Sequence, residues 1–395
     1  MSNVIDYIKW RGDLSFEASG FNEVDGLLFS LLSYIDWSDA VDQDYHDSIT
    51  LKDAASILLQ KEDLCHMLAV DNEKYREVLD LCSKSVRFSS IKLLHYINKY
   101  SPEIQMQFAA IVFEINNTLV FSFRGTDDTF TGWQEDFNMS ILKTVPSQSE
   151  ALAYFIGTSN RFTKHDFILC GHSKGGNLAV FSAVMSPEVL SDRIRLVYSY
   201  DGPGFMSSNN DAYKYKKIVS RITTFVPQSS IVGMFLDHEE KHVVIKSTAS
   251  NGLAQHNGLT WEVLGNSFEH LEDTDKRSKF LEMTFKNAIA NTSVEEREKL
   301  AEALSQVFEM MDADTLTDVK RNIPVSVAQF VKGYDSLCDS SKRIISFTFR
   351  TVISSRKQTS TSLEISDNNS IKPIPQIKQH KLELLISKIN KNFRR

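Results

Sequence analysis

A serine flanked by glycines is the residue best placed to do chemistry. Residues 171–176 read G-H-S-K-G-G, directly after the apolar stretch 167–170 and directly before the apolar helical pattern 177–185. A serine on a sharp strand-to-helix turn exposes its hydroxyl, and tiny flanking residues let the strand and helix approach each other. The helix N-terminus then points its dipole at a developing oxyanion. The pattern predicts Ser173 as a nucleophile; a glycine-rich turn without catalysis is the alternative.

A serine hydroxyl needs a base, which is itself oriented by an acid. In the α/β-hydrolase arrangement the chain order is serine, then Asp or Glu, then histidine. His256 lies in a loop just past the last predicted strand, where that order delivers the base. His242 begins a strand, and His238 stands among acidic residues that indicate a solvated surface. We therefore predict His256 as the base; a loop histidine with a local packing role is the alternative.

Two aspartates compete for the role of the acid. Asp201 follows the predicted strand 194–200 and precedes Gly-Pro-Gly. A carboxylate at the carboxyl end of a parallel strand points toward the site, which favours Asp201 over a simple turn-forming role. Asp237 is the rival, in a loop whose neighbours Glu239 and Glu240 indicate a charged surface.

The oxyanion of the reaction needs two backbone N–H donors, one after the nucleophile and one from an earlier strand-end loop. Lys174 follows the nucleophile, and residues 121–128, F-S-F-R-G-T-D-D, supply such a loop. We predict the N–H groups of Lys174 and Thr126 as donors, with the Thr126 hydroxyl as a third. Arg124 and Asp136 are expected to be structural, and an ordinary Gly-Thr turn is the alternative.

The surrounding pattern predicts the elements that hold these residues. Runs of helical periodicity precede a hairpin signal, Asn116-Asn117, and strands then alternate with helices, which indicates a mainly parallel sheet covered on both faces. The predicted helices before the hairpin are 21–35, capped by Asn22, 50–59, 75–82 and 91–99, and the one after it is 149–161. The predicted strands are 108–115, 118–123, 167–170, 194–200, 221–226 and 242–246.

The chain divides into four predicted regions. An α/β-hydrolase domain with N-terminal helices is expected over 1–265, and a helical region over 266–355 that includes helices at 279–289, 294–311 and 325–349. Residues 356–375, rich in Ser, Thr, Asn and Pro, are typical of a flexible linker. Residues 376–395 form a short basic amphipathic tail, which predicts possible peripheral contact with a membrane.

Composition narrows the function classes. The 395 residues carry a net charge of −7 with 42% hydrophobic and 24% charged residues, which is typical of a globular protein and argues against nucleic acid as the partner. No signal peptide or spanning stretch stands out, so we expect a cytoplasmic protein. Four scattered cysteines predict buried thiols, with no metal site and no organic cofactor.

Three motifs together carry a resemblance to a known family. F-R-G-T at 123–126, W-x-x-D-F at 133–137 and G-H-S-x-G-G-N-L-A at 171–179 are similar to the class 3 lipase group of α/β hydrolases. The opening K-W-R-G-D-L-S-F at 9–16 resembles an uncharacterised bacterial branch of that group. The resemblance covers roughly residues 1–265 and implies Ser173 as nucleophile, His256 as base, and Thr126 with Lys174 as oxyanion donors.

The chain departs from that family at two places. Class 3 lipases place their acid in N-D-x-V-P, whereas the matching stretch 229–233 has serine where the aspartate is expected. This moves the acid to Asp201 or leaves the triad incomplete. Lys174 stands where many lipases have an apolar residue; we expect a solvated side chain, the alternative being a cation at the mouth that favours anionic substrates such as phospholipids.

These observations predict hydrolysis of a small-molecule or lipid carboxylic ester through an acyl-enzyme on Ser173. Acyl transfer or thioester cleavage on the same site is one alternative. A catalytically inactive interaction protein that keeps the fold is another, with the C-terminal helices as its partner surface. The N-terminal or C-terminal helices are candidates for a lid over the site, and the oligomeric state is left open.

Overall fold

The computed structural model describes residues 2–43, 48–65, 72–127, 129–206, 212–250, 252–309, 329, 332–343 and 345. The strands are β1 (Ile49–Thr50), β2 (Lys92–Ser101), β3 (Met106–Ile115), β4 (Thr118–Phe123), β5 (Asp166–His172), β6 (Ile194–Tyr200), β7 (Ile222–Pro227), β8 (His242–Ile245), β9 (Val263–Leu264), β10 (Ser267–Phe268) and β11 (His270–Leu271). The α-helices are α1 (Val4–Arg11), α2 (Glu23–Leu32), α3 (Leu51–Leu58), α4 (Asn72–Lys84), α5 (Phe130–Asn138), α6 (Pro146–Ser159), α7 (Lys174–Met185), α8 (Glu188–Ser191), α9 (Ala212–Ile218), α10 (Gly252–Gln255), α11 (Lys276–Ala290) and α12 (Val294–Glu309). The predicted linker 356–375, the tail 376–395 and part of the helix predicted over 325–349 lie outside the described residues.

One mixed sheet of nine strands runs in the order β1-β2-β3-β4-β5-β6-β7-β8-β11. Strands β4 to β8 are parallel to one another, and the antiparallel pairs lie at the two ends of the sheet. Helices lie in the connections from β4 to β7, and a loop connects β7 to β8. This arrangement is the α/β-hydrolase fold predicted from the sequence. Because parallel strands end at the same edge of a sheet, residues that follow β5 and β6 come close together there.

Both faces of the sheet are apolar because alternate residues of the inner strands point to opposite sides. In β5, Phe167 and Leu169 belong to one core cluster, whereas Ile168 and Cys170 belong to the other. The first cluster includes side chains of α6 and α7, and the second includes side chains of α1 to α4. The N-terminal helices are therefore part of the layer that covers the sheet.

Most predicted elements within the described residues are confirmed, but one helix is wrong. Strands β10 and β11 also lie in the region from 266 that was expected to be helical, and β11 belongs to the main sheet. The hairpin forms around Asn116, whose φ of 53° is the left-handed conformation that asparagine tolerates, and Asn22 caps α2. The helix predicted over 91–99 is strand β2, paired antiparallel with β3. Its apolar residues fit either period, and an irregularity between Leu94 and Ile97 disrupts the alternation that would have indicated a strand.

Two further observations concern the described ranges. None of their helices has the length and apolar character needed to cross a membrane. They also bring together no group of three or more His, Cys, Asp or Glu side chains suited to a metal ion. Cys338 is exposed, contrary to the expectation of buried thiols, whereas Cys65, Cys82 and Cys170 are buried.

Candidate active site

Ser173 occupies a strained turn between β5 and α7. Its φ of 58° and ψ of −133° lie outside the regions that L-residues normally adopt, as a nucleophile elbow requires. The flanking glycines allow this turn: a side-chain carbon at Gly171 would collide with the carbonyl of Gly175, and one at Gly175 would collide with the carbonyl of Phe123. The half-buried Ser173 is therefore presented where strand and helix approach most closely.

Asp201 and His256 form a close pair at the same edge of the sheet. His256 Nδ1 lies 2.6 Å from Asp201 Oδ2, and the carboxylate is fully buried while the imidazole is 20% exposed. Asp201 directly follows β6 and has a φ of 52°. The ring of His256 lies beside that of His172, with 4.5 Å between ring centroids, so the pair sits next to the residue that precedes Ser173.

The second carboxylate oxygen of Asp201 is also hydrogen-bonded. Ser230 Oγ and the Gly233 N–H both donate to Asp201 Oδ1, the latter at 3.1 Å. Ser230 belongs to the stretch in which class 3 lipases carry their acid, and here it supports the carboxylate of Asp201. Asp237, the rival candidate, has a side chain that is 47% exposed and pairs with Lys286 at 3.7 Å.

The loop that carries Thr126 passes beside the elbow. A side-chain carbon at Gly125 would lie only 3.1 Å from Ser173 Cβ, so the loop and Ser173 are in contact. The Thr126 hydroxyl was expected as a third oxyanion donor, but it donates to Asp136 Oδ2 at 2.6 Å and is engaged there. Burial raises the pKa of Asp136 to about 6, an effect that the nearby Lys174 ammonium counteracts.

The backbone N–H of Lys174 lies at the start of α7, whereas its side chain is buried in an ion pair. Its N–H is the first of α7, a position without an intrahelical partner, as the predicted donor role needs. The side chain, however, is 1% exposed, and Nζ lies 2.9 Å from Glu135 Oε2. Both expectations for it, a solvated side chain and a cation at the mouth, are wrong, because Glu135 holds the ammonium inside the protein.

Sequence reasoning missed His172, which contacts the candidate base, and Tyr34, which contacts His172. His172 Nε2 lies 2.7 Å from the carbonyl of His256, and Nδ1 lies 2.8 Å from the Tyr34 hydroxyl. A carbonyl only accepts, so Nε2 carries the proton and Nδ1 accepts from Tyr34. Burial, with His256 alongside, lowers the pKa of His172 to about 3 and keeps the ring neutral. The histidine in G-H-S was a visible signal; Tyr34, far earlier in the chain, had none.

His238 was expected to be solvated, and this is wrong. Its ring is 6% exposed, and Nδ1 lies 2.9 Å from Glu240 Oε1. Glu240 is buried too, and it accepts hydrogen bonds from Thr224 and Tyr215. The acidic stretch around residue 240 therefore faces partly inward.

Sheet and elbow together define a lipase-like protein of the α/β-hydrolase class. The chain belongs to the Mbeg1-like family, a lipase-like family whose model matches residues 82–306, more than half of the chain. This confirms the lipase-like resemblance drawn from the three motifs.

Several fungal lipases are among the similar solved structures, each at low sequence identity. Lipase II from Rhizopus niveus is 16% identical, with 43% of this chain and 72% of that chain covered and a TM-score of 0.31. The Rhizomucor miehei lipase propeptide complex is 14% identical, with 62% and 80% covered and a TM-score of 0.33. A triacylglycerol lipase from Penicillium expansum is 12% identical, with 40% and 71% covered and a TM-score of 0.30. A comparison with curated proteins gives no match.

Proposed function

We propose that the protein is a serine hydrolase that cleaves a carboxylic ester, with lipid esters as the first substrate class to test. The observation that carries this proposal is the buried Asp201 carboxylate bonded at 2.6 Å to His256, beside the strained turn of Ser173. Nucleophile, acid and base, at residues 173, 201 and 256, follow one another in the chain order expected for this fold.

In the proposed reaction, Asp201 accepts the Nδ1–H of His256 and so leaves Nε2 as the basic nitrogen. His256 Nε2 takes the proton of Ser173 as Oγ attacks the ester carbonyl. The tetrahedral intermediate collapses, the C–O bond of the ester breaks, and the leaving alcohol takes the proton from His256. His256 then activates water, which hydrolyses the acyl-enzyme and restores Ser173.

The developing oxyanion is held by the N–H groups of Thr126 and Lys174 in this proposal. Loss of one such donor in a serine hydrolase typically costs about 2.7–4 kcal/mol of transition-state stabilisation. The bond from the Thr126 hydroxyl to Asp136 supports the role, because it fixes the loop that carries the second donor. The dipole of α7, which begins at Lys174, adds to the field at the same point.

Covalent labelling tests the proposal directly. A fluorophosphonate should add to the wild-type protein and not to Ser173→Ala, as read by intact mass. Ser182→Ala is the matched control, because Ser182 lies on the same helix in a buried position. Labelling that survives in Ser173→Ala, or no labelling of the wild type, would contradict the proposal; the latter favours the inactive interaction protein.

The acyl acceptor and the leaving group need a separate measurement. A panel of p-nitrophenyl esters, phospholipids and acyl thioesters, each tested with water and with added alcohols as acceptors, distinguishes ester hydrolysis from thioester cleavage and acyl transfer. We expect turnover of esters with water as acceptor, and none in Ser173→Ala.

A further inference from the structure

The residue after the nucleophile places a buried cation beneath the candidate oxyanion site. Lys174 Nζ makes three contacts: 2.8 Å to the Gln107 carbonyl, 3.0 Å to Gln107 Oε1 and 2.9 Å to Glu135 Oε2. An ammonium has three N–H donors, so all of them are used.

The carboxylate partner is equally well satisfied. Glu135 is fully buried, and besides Lys174 its oxygens accept from the Gln107 N–H at 3.1 Å and the Ser147 N–H at 2.8 Å. A buried ion pair with full hydrogen bonding is on balance no more stabilising than apolar residues of similar volume. Stability alone therefore does not explain a lysine where an apolar side chain would fit this class of fold.

The pair leads to the loop that carries Thr126. Gln107 Oε1, which accepts from Lys174 Nζ, also accepts from the Asp127 N–H at 3.3 Å. Asp127 is the neighbour of Thr126, and Glu135 is the neighbour of Asp136, which binds the Thr126 hydroxyl at 2.6 Å. The Lys174 ammonium thus restrains the position of Thr126 by two routes, one through Gln107 and one through helix α5.

We infer that Lys174 is a positioning residue that locks the two halves of the oxyanion hole together. Its backbone N–H is one proposed donor, and its side chain fixes the loop that offers the other, the Thr126 N–H. Oxyanion donors must be held within about 0.5 Å of the productive geometry, which a mobile loop between β4 and α5 would not guarantee. The inference rests on the proposed function and adds to it a side-chain link between the two proposed oxyanion donors.

The test separates positioning from stability by comparing Lys174→Met with the double variant Lys174→Met/Glu135→Gln. The single change leaves a buried carboxylate without its cation and should lower Tm. The double change removes both charges and should restore Tm, but methionine still cannot hold Gln107 Oε1. We expect kcat for a p-nitrophenyl ester to fall roughly 10²-fold in both variants, while KM stays within about threefold.

A transition-state analogue supplies the readout that a merely structural role would not move. Binding of a trifluoromethyl ketone, which forms a tetrahedral adduct with the serine, should weaken by the same factor as kcat/KM. Arg87→Met is the matched control, because Arg87 and Asp25 form a second ion pair with both side chains fully buried. It should lower Tm and leave kcat/KM within about threefold of the wild type.

The outcomes distinguish this inference from the proposed function. No Ser173-dependent turnover or labelling in the wild type would overturn the proposed function itself. Ser173-dependent turnover in the wild type, together with a double variant that has wild-type kcat and wild-type affinity for the ketone, would overturn only the role of Lys174. Because the double variant removes the Glu135 carboxylate together with the Lys174 ammonium, the test does not depend on whether Lys174→Met folds.

Discussion

In the described part of the chain, His256 and His238 each pair with a buried carboxylate, and only the pair of His256 has the surroundings of an active site. His256 and Asp201 lie 2.6 Å apart, and His238 and Glu240 lie 2.9 Å apart. The His256 ring is 20% exposed and lies beside the elbow of Ser173, whereas the His238 ring is 6% exposed and packs against His242 at 4.5 Å between ring centroids.

The two carboxylates, Glu240 and Asp201, also differ in their surroundings. Burial raises the pKa of Glu240, but hydrogen bonds from His238, Thr224 and Tyr215 outweigh that effect and bring its pKa to about 2. Glu240 is thus a charge held by a closed network. Asp201 has a strained φ of 52° at the end of β6, beside Ser173 at the end of the neighbouring β5. A histidine–carboxylate pair is therefore not in itself a sign of catalysis. The features that favour a catalytic role for His256 are its partly exposed ring and the serine close to it.

The largest expected difference between the two pairs is in turnover. Asp201→Asn should lower kcat by roughly 10⁴-fold, because the amide no longer holds His256 in the productive tautomer. Glu240→Gln, the matched change in the other pair, should leave kcat within about threefold of the wild type. Ester turnover of both purified variants checks this, and a small loss in Asp201→Asn would remove Asp201 from the proposed triad.

The second difference is in stability. Glu240→Gln should lower the free energy of unfolding at pH 7 by about 3 kcal/mol, because a buried network loses its charged acceptor. Because its folded pKa is about 2 against an ordinary 4.5, Glu240 adds stability above pH 4.5 that is lost as the pH falls toward 2. Urea unfolding across this range should show that loss in the wild type and not in the variant. If the free energy of unfolding depends on pH equally in the wild type and in the variant, Glu240 is not a charged, hydrogen-bonded group in the folded protein.

A smaller effect should come from the residue that supports Asp201. Ser230→Ala removes one hydrogen bond to the Asp201 carboxylate and should lower kcat about tenfold, with KM unchanged. Ser229→Ala is the neighbouring control, because Ser229 Oγ donates to Asp275 instead. If both variants keep the kcat of the wild type, the orientation of the carboxylate does not depend on Ser230.

The smallest expected effect is a change in how steeply the free energy of unfolding depends on pH. Burial lowers the pKa of His172 to about 3 and, with His238 alongside, that of His242 to about 4, so each takes up a proton on unfolding below its ordinary 6.5. Stability therefore decreases as the pH falls from 6.5. His242→Gln should make this slope shallower by about one proton between pH 4.5 and 6. An unchanged slope would mean that folded His242 is already charged.

Features set by neighbouring residues were predictable from the sequence. The elbow depends on glycines adjacent to Ser173, and the parallel sheet depends on apolar runs separated by helical ones. In both cases residues close together in the sequence determine the local structure, which explains why the fold class was predicted correctly. The choice of Asp201 over Asp237 followed from its place at the end of a strand.

Features decided by distant partners were not predictable. The burial of Lys174 depends on Glu135, and that of His238 depends on Thr224 and Tyr215 through Glu240. A charged residue looks solvated in a sequence until its partner is located in space. Strand β2 was missed for the same reason, because pairing with β3 decides its conformation.

A chain of two hydrogen bonds links the region matched by the family to the segment before it. Tyr34 donates to His172, and His172 donates to the carbonyl of His256. The family match begins at residue 82, yet Tyr34 belongs to the segment before it. Anchorage of the histidine loop is thus supplied by a part of the chain outside the matched region. We expect a shortened protein of residues 82–306 to keep every proposed catalytic group and to lose the brace behind one of them, because Tyr34 lies outside that range.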